Sequence, residues 1–189
     1  MIFRELRENI YSDLYRYYSE RSVKTLLKAI FFNSGYQMCF FYRISNYCLQ
    51  EKKIILLPFF KILLKISCKV NNCELHALTK IGRGLYLGHC SGIIISGYTT
   101  IGNNVNISQQ VTIGIAGRGK DRGVPIIGNN VFIGPGAKIF GKISIGNYVA
   151  IGANAVVTKD VPDNAVVVGV PGKVISYNGT NDLILNTNY

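Results

Sequence analysis

The sequence predicts a mainly β protein, with a parallel β-helix over residues 71–175 behind an α-helical region at residues 1–70. Two observations carry this. The pair Ile-Gly recurs at positions 81, 101, 113, 127, 133, 145 and 151. Aliphatic residues fall six apart, as Ile95, Ile101, Ile107 and Ile113, then Ile127, Ile133, Ile139, Ile145, Ile151 and Val157. A second series runs Val131, Ala137, Ile143, Val149, Ala155, Val161 and Val167. A period of six is neither that of an α-helix nor that of a single alternating strand. It is the period of stacked coils in which each hexapeptide makes one short strand and one turn.

The helical region comes first in the chain. Leu6, Ile10, Leu14 and Tyr17 recur at helical spacing, as do Val23, Leu26, Leu27 and Ile30. A third apolar stretch runs from Ile54 to Ile66, interrupted by Pro58, Lys61 and Lys65. This region reads in two ways: a small helical bundle packed on its own chain or on sister chains, or a peripheral membrane contact through the basic, aromatic and apolar segment 52–65.

In the coil, three strands close one turn and their aliphatic side chains point inward, stacking on the coils above and below. Gly102-Asn103-Asn104, Gly128-Asn129-Asn130 and Gly146-Asn147 supply corners that tolerate positive φ. The register breaks once, between Ile113 and Ile127, by two residues more than two repeats. The insert from Ile115 to Pro125 holds three glycines, three basic residues and one acid, so it leaves the coil as a surface loop of the kind that carries function. The asparagine-rich tail, 176–189, has no register and is expected to be loosely ordered.

Composition narrows the classes. Hydrophobic residues make up 48% and charged residues 16%, which excludes a disordered chain. The net charge of +11 calls for an acidic partner, and +7 of it lies in residues 1–70. The basic residues are dispersed and no nucleic-acid motif accompanies them, so no nucleic acid is expected. Five cysteines at 39, 48, 68, 73 and 90 form no C-x-x-C pair, and Arg4, Glu5, Arg7 and Glu8 interrupt any signal-peptide pattern. They read as free thiols in a reducing cytoplasm, with attachment at the inner face of the membrane as the second reading. No charge-free apolar run reaches 18 residues, so no transmembrane span is expected.

Several segments carry a resemblance: Glu74-Leu-His-Ala-Leu-Thr-Lys-Ile-Gly82, Gly88-His-Cys-Ser-Gly92, Gln110-Val-Thr-Ile-Gly114, the run from Ile151 to Pro162, and Gly169-Val-Pro-Gly-Lys-Val-Ile175. Through them residues 71–175 resemble the serine acetyltransferase branch of the hexapeptide-repeat acyltransferases. The resemblance implies a left-handed coil, a homotrimer, and acetyl-CoA as co-substrate in the groove between adjacent subunits. It places the general base on His89, a side-chain type suited to taking a proton from a hydroxyl near neutral pH. It places the carboxylate that orients this base on Glu74, where the family usually has aspartate. His76 is read as structural or supporting. Coenzyme contacts are implied at Pro135, Ala153, Thr158, Lys159 and Lys173, with Gly114 and Ala116 at the loop entrance. Cys90 is read as a buried small hydrophobe pointing away from His89, because strand neighbours face opposite sides.

The acceptor follows from the departures. The family's aspartate before the histidine is Gly88 here. Its loop Asp-Arg-His-Pro becomes Asp121-Arg122-Gly123-Val124-Pro125, leaving Asp121 and Arg122 as substrate-binding candidates. The C-terminal Asn186-Thr-Asn-Tyr189 lacks the isoleucine by which those enzymes engage a partner. The expected acceptor is therefore a saccharide or lipid-linked saccharide of a surface-polysaccharide pathway. The alternatives are serine O-acetylation and a non-catalytic scaffold. No metal is expected, since two histidines cannot supply the three ligands of β-helix zinc enzymes.

Overall fold

A computed structural model describes residues 3–189. Four helices come first: α1 (Phe3–Tyr18), α2 (Val23–Phe32), α3 (Ser34–Gln50) and α4 (Leu56–Val70). Asn33 stands between α2 and α3. Its backbone N–H closes α2 on the Ala29 carbonyl, and its side chain accepts from Tyr36 N–H at 2.9 Å to open α3. Pro58 falls in the first turn of α4, where a missing N–H costs no helical bond.

Strands then follow one another around three faces. β1 (Glu74–Leu75), β4 (Ile94–Ile95), β7 (Thr112–Gly114), β10 (Lys138–Phe140) and β13 (Val156–Val157) make the first sheet. The second holds β2 (Lys80–Ile81), β5 (Thr100–Ile101), β8 (Ile126–Ile127) and β11 (Ser144–Ile145). The third holds β3 (Tyr86–Leu87), β6 (Asn106–Ile107), β9 (Phe132–Ile133), β12 (Ala150–Ile151), β14 (Val166–Val168) and β15 (Lys173–Ser176). All pairs are parallel except β14 with β15. Up to β13 every third strand shares a sheet, as stacked triangular coils require. Leu75, Ile95, Ile113, Ile139 and Val157 stack inward on one face and Leu87, Ile107, Ile133, Ile151 and Val167 on another, all buried. The expectation of a mainly β chain is met only in part, because among the described residues the four helices hold more residues than the fifteen strands.

Three register readings are corrected. β7 passes directly to β8 on the next face, so the spacing from Ile113 to Ile127 is one repeat plus an eight-residue insert; a 3₁₀ turn at Gly119–Asp121 stands where an extra strand would lie. A second break occurs earlier: Leu87 to Ile95 spans eight residues, because a turn at 88–89 and a bend at 91–92 swell the corner. The turn after β13 is shorter than a repeat, which pairs Val161 with Ile145 and Val167 with Ile151, placing Ala165 rather than Val161 above Val149.

The helices close the open end of the coil. A first coil leaves backbone groups unpaired, and side chains of α1 and α3 meet them. Tyr42 donates to Thr79 O at 2.7 Å and Asn46 to Ala77 O at 2.8 Å. Arg43 donates to Ile81 O and Gly82 O at 2.7 and 2.5 Å. Asp13 accepts from Leu85 N–H at 2.8 Å. The Asp13–Arg43 pair itself is bidentate at 2.8 and 2.9 Å and fully enclosed. Burial pushes the Asp13 carboxyl up, while Arg43 and the Leu85 N–H oppose it. Two short, aligned bonds to a guanidinium hold the pair charged. The tail folds back over this end: Tyr189 donates to Asn104 at 2.9 Å, and the Leu183 carbonyl accepts from Asn106 at 3.2 Å.

Candidate active site

The first sheet is the face that organises the site. Chains enter it at one corner, through Gly92, Gln110, Gly136 and Asn154, and leave at the other, near His76, the 115–125 loop, Gly141 and Thr158. The outward column at entry is Glu74, Ile94, Thr112, Lys138 and Val156, and the next is His76, Ser96, Gly114, Phe140 and Thr158.

His89 lies at the entry corner, in the swollen turn after β3, and is exposed. Its φ is 49°, a left-handed conformation that costs a side-chain-bearing residue roughly 1–2 kcal/mol. The turn is held at both ends. Tyr17 OH accepts from Leu87 N–H at 2.8 Å, and Gly92 donates to Asn71 O at 3.2 Å. Gly35 lies so close below that an added Cβ would stand 2.4 Å from Leu87 O. The helical cap thus fixes the strand that presents His89.

Glu74 opens β1, beside this turn. Its carboxylate bonds His76 Nε2 at 2.8 Å, and no hydrogen bond joins it to His89 among the described residues. Glu74 and His76 line two adjoining grooves. One, of about 560 Å³, runs along α4 past Lys61, Lys65 and Lys69; the other, of about 360 Å³, runs past Ser96, Tyr98 and Gly114. His89 lines neither.

The implied coenzyme positions divide between the two corners. Pro135 and Ala153 stack above the His89 corner, joined coil to coil by Gln110 N–H to Ser91 O, Gly136 N–H to Gln109 O and Asn154 N–H to Pro135 O, all 2.8–2.9 Å. At about 4.8 Å per coil, Ala153 lies some 14 Å from the His89 corner. Gly114, Thr158 and Lys159 lie at the exit corner. Phe140 covers Gly114, since an added Cβ would meet its ring at 2.7 Å. Lys173 is exposed on β15, beside Val168. Ala116 forms an antiparallel bridge with Gly123 that pinches the loop, with Asp121 and Arg122 exposed on its returning limb.

Two features escaped the sequence reading. Lys138 stands in the same outward column as Glu74 and donates to Gln110 O at 2.6 Å and Thr112 Oγ1 at 3.1 Å. Cys90 is half-buried against the core with its sulfur 3.7 Å from Cys73. Strand alternation does not apply to Cys90, because it lies outside the strands, between the turn at 88–89 and the bend at 91–92.

The profile described as Bacterial transferase hexapeptide (six repeats) matches residues 125–159. A serine acetyltransferase of Bacillus pumilus is 32% identical over 95% of this chain and 80% of its own length. One of Staphylococcus aureus is 37% identical over 84% of this chain and 73% of its own. The chain belongs to the hexapeptide-repeat acyltransferase family. Among solved structures, the soybean serine acetyltransferase apoenzyme matches with a TM-score of 0.77 and 31% identity, over 91% of this chain and 69% of that one. The Neisseria gonorrhoeae serine acetyltransferase in complex with serine matches with a TM-score of 0.77 and 29% identity, over 92% and 70%. The chain is an acetyltransferase by these relatives, which are named for serine and not for a polysaccharide acceptor. The family assignment thus stands, and its narrowing to a polysaccharide type does not follow from these matches.

Proposed function

We propose that the chain is a serine O-acetyltransferase in which His89 is the general base. The observation that carries the base is its position: an exposed imidazole on a braced, left-handed turn, in line with the small-residue edge through Pro135 and Ala153. The acceptor rests on the relatives' names. Acetyl-CoA would supply the acetyl group as a thioester. Pro135 and Ala153 leave room beside the backbone for an extended arm, and Lys159 and Lys173 offer cations for its phosphates. His89 takes the proton of the serine hydroxyl as its oxygen attacks the thioester carbonyl, and returns it to the departing sulfur as the C–S bond breaks. Glu74, bonded to His76 at the start of the first sheet, would stabilise the positive charge that develops on His89. A backbone N–H of the glycine-bearing turns stabilises the oxyanion.

The loop bearing Asp121 and Arg122 stands at the opposite margin of the first sheet from His89. A homotrimer of left-handed coils would set the loop margin of one subunit against the histidine margin of the next, completing the groove. This is the assembly we infer.

A second reading has its own observation. Gly88 and Gly123 stand where serine enzymes carry an aspartate and a histidine, which favours a saccharide or lipid-linked saccharide acceptor. Mass analysis of products after incubation with acetyl-CoA and either L-serine or a panel of sugars separates the two. O-acetylserine supports the serine reading; acetylated sugar alone replaces it. In the saccharide case, the exposed Ile54, Ile55, Phe59 and Ile62 beside Lys52, Lys53, Lys61 and Lys65 favour peripheral contact with an anionic membrane. Failure of the intact chain to sediment with anionic liposomes ends that extension. No helix among the described residues is long and apolar enough to cross a membrane.

A further inference from the structure

Cys73 and Cys90 flank the two residues of the proposed machinery, one preceding Glu74 and the other following His89. They come from segments 17 residues apart, and their sulfurs lie in contact at 3.7 Å. Both are half-buried, whereas Cys39, Cys48 and Cys68 are buried. A disulfide needs about 2.05 Å, so the sulfurs must close by roughly 1.7 Å. Neither cysteine lies within a β-strand: Cys73 follows the turn that ends α4, and Cys90 lies in the swollen corner after β3, so side-chain rotation with a small backbone shift can close the gap.

We propose that Cys73 and Cys90 are an oxidation site, a hydroperoxide-reactive pair that closes to a disulfide beside His89 and slows acetyl transfer. Cys73 is the attacking sulfur. The contact with Cys90, in which either sulfur can donate, and the backbone N–H groups of Gly92 and Ile93 bring the Cys73 thiol down to about 7, and its sulfur also lies 3.3 Å from the Asn71 carbonyl. The same contact pushes the Cys90 thiol up. In the first step the Cys73 thiolate attacks the peroxide; an S–O bond forms, the O–O bond breaks, and the alcohol leaves with a proton from solvent. Cys73 is then a sulfenic acid, and the anion that held the Cys90 proton is gone. Cys90 loses that proton and attacks the Cys73 sulfur; the S–S bond forms, the S–O bond breaks and water leaves. The sum is two thiols and one hydroperoxide giving one disulfide, one alcohol and one water. The bond would tie the His89 turn to the segment entering β1 and shift the backbone beside a residue already at positive φ.

The effect on acetyl transfer rests on the proposed role of His89; the chemistry of the pair does not. The test treats the reduced full chain with one equivalent of cumene hydroperoxide and maps peptides without reduction. A single intramolecular link between the Cys73 and Cys90 peptides is expected, with the other three thiols intact. In Cys90→Ser, dimedone should trap a sulfenic acid on Cys73. In Cys73→Ser, peroxide consumption should slow by about tenfold or more. Thiol release from acetyl-CoA should fall on cross-linking and return with dithiothreitol. First oxidation at Cys90 or a buried thiol, a link between chains, or no link overturns the site. A link that leaves turnover unchanged overturns its control of activity. A chain that links as stated but turns over no acceptor overturns the acetyltransferase role alone.

Discussion

Replacing Asp13 by alanine strips Arg43 of its carboxylate while leaving the guanidinium 2% exposed beneath the coil. Arg43 keeps its bonds to the Ile81 and Gly82 carbonyls, but its charge is no longer balanced. The Leu85 N–H also loses its acceptor. Breaking one side of a buried pair costs about 3–5 kcal/mol, and the orphaned N–H belongs within that figure rather than on top of it. Against a total of about 5–15 kcal/mol this is a large share. At about 2–4 °C per kcal/mol for a chain of this size, the midpoint should fall by roughly 6–20 °C. The assay is thermal and denaturant unfolding followed by circular dichroism, at one protein concentration, for wild type, Asp13→Ala, Arg43→Met and the double variant. The double variant should be more stable than Asp13→Ala, since it removes the unpaired charge. A loss below about 1 kcal/mol in Asp13→Ala, or a double variant no better than the single, would show that the pair does not hold the cap to the coil.

Other outcomes follow from the same contacts. Gly35→Ala should push α3 away from β3, because the new Cβ meets Leu87 O at 2.4 Å; the check is a lowered midpoint together with a lowered kcat, and an unchanged kcat would separate the cap from the site. Glu74→Gln removes the carboxylate proposed to stabilise the charged base and should lower kcat by about 10²–10⁴-fold with little change in KM; a change confined to KM would assign Glu74 to binding. Iodoacetamide labelling of Cys73 should rise with pH through about 7, because the thiolate is the reactive form, while Cys68, pushed up by burial to about 11, stays slow; equal pH profiles would refute the contact between Cys73 and Cys90.

The coil was legible because one residue in six must be aliphatic to fill a triangular core, and a strict period survives in the sequence. Its irregularities were harder to read. The swollen corner at His89 falls between the Ile-Gly pairs at 81 and 101, whose spacing is two residues more than three repeats, but it lies outside the six-residue aliphatic series that begins at Ile95. Val161 and Val167 kept six-residue spacing with Ala155 even as the short turn after β13 moved them to other columns. The helical spacing of Leu6, Ile10 and Leu14 was visible, yet Asp13 and Arg43 left no local trace, because the pair joins residues 30 apart across two helices. The same holds for Cys73 and Cys90, whose contact depends on stacking of one coil segment against the next. His89 and Glu74 were reached through a family pattern; the bond from Glu74 to His76 was visible only in three dimensions.

The central claim is that His89 is the base of an acetyl transfer, and thiol release from acetyl-CoA tests it most directly. Wild type and His89→Ala are compared with the acceptor that gives turnover, after circular dichroism shows matching folds. The account predicts that kcat falls by about 10²–10⁴-fold in the variant. Equal rates in the two proteins would contradict it and remove His89 from the mechanism.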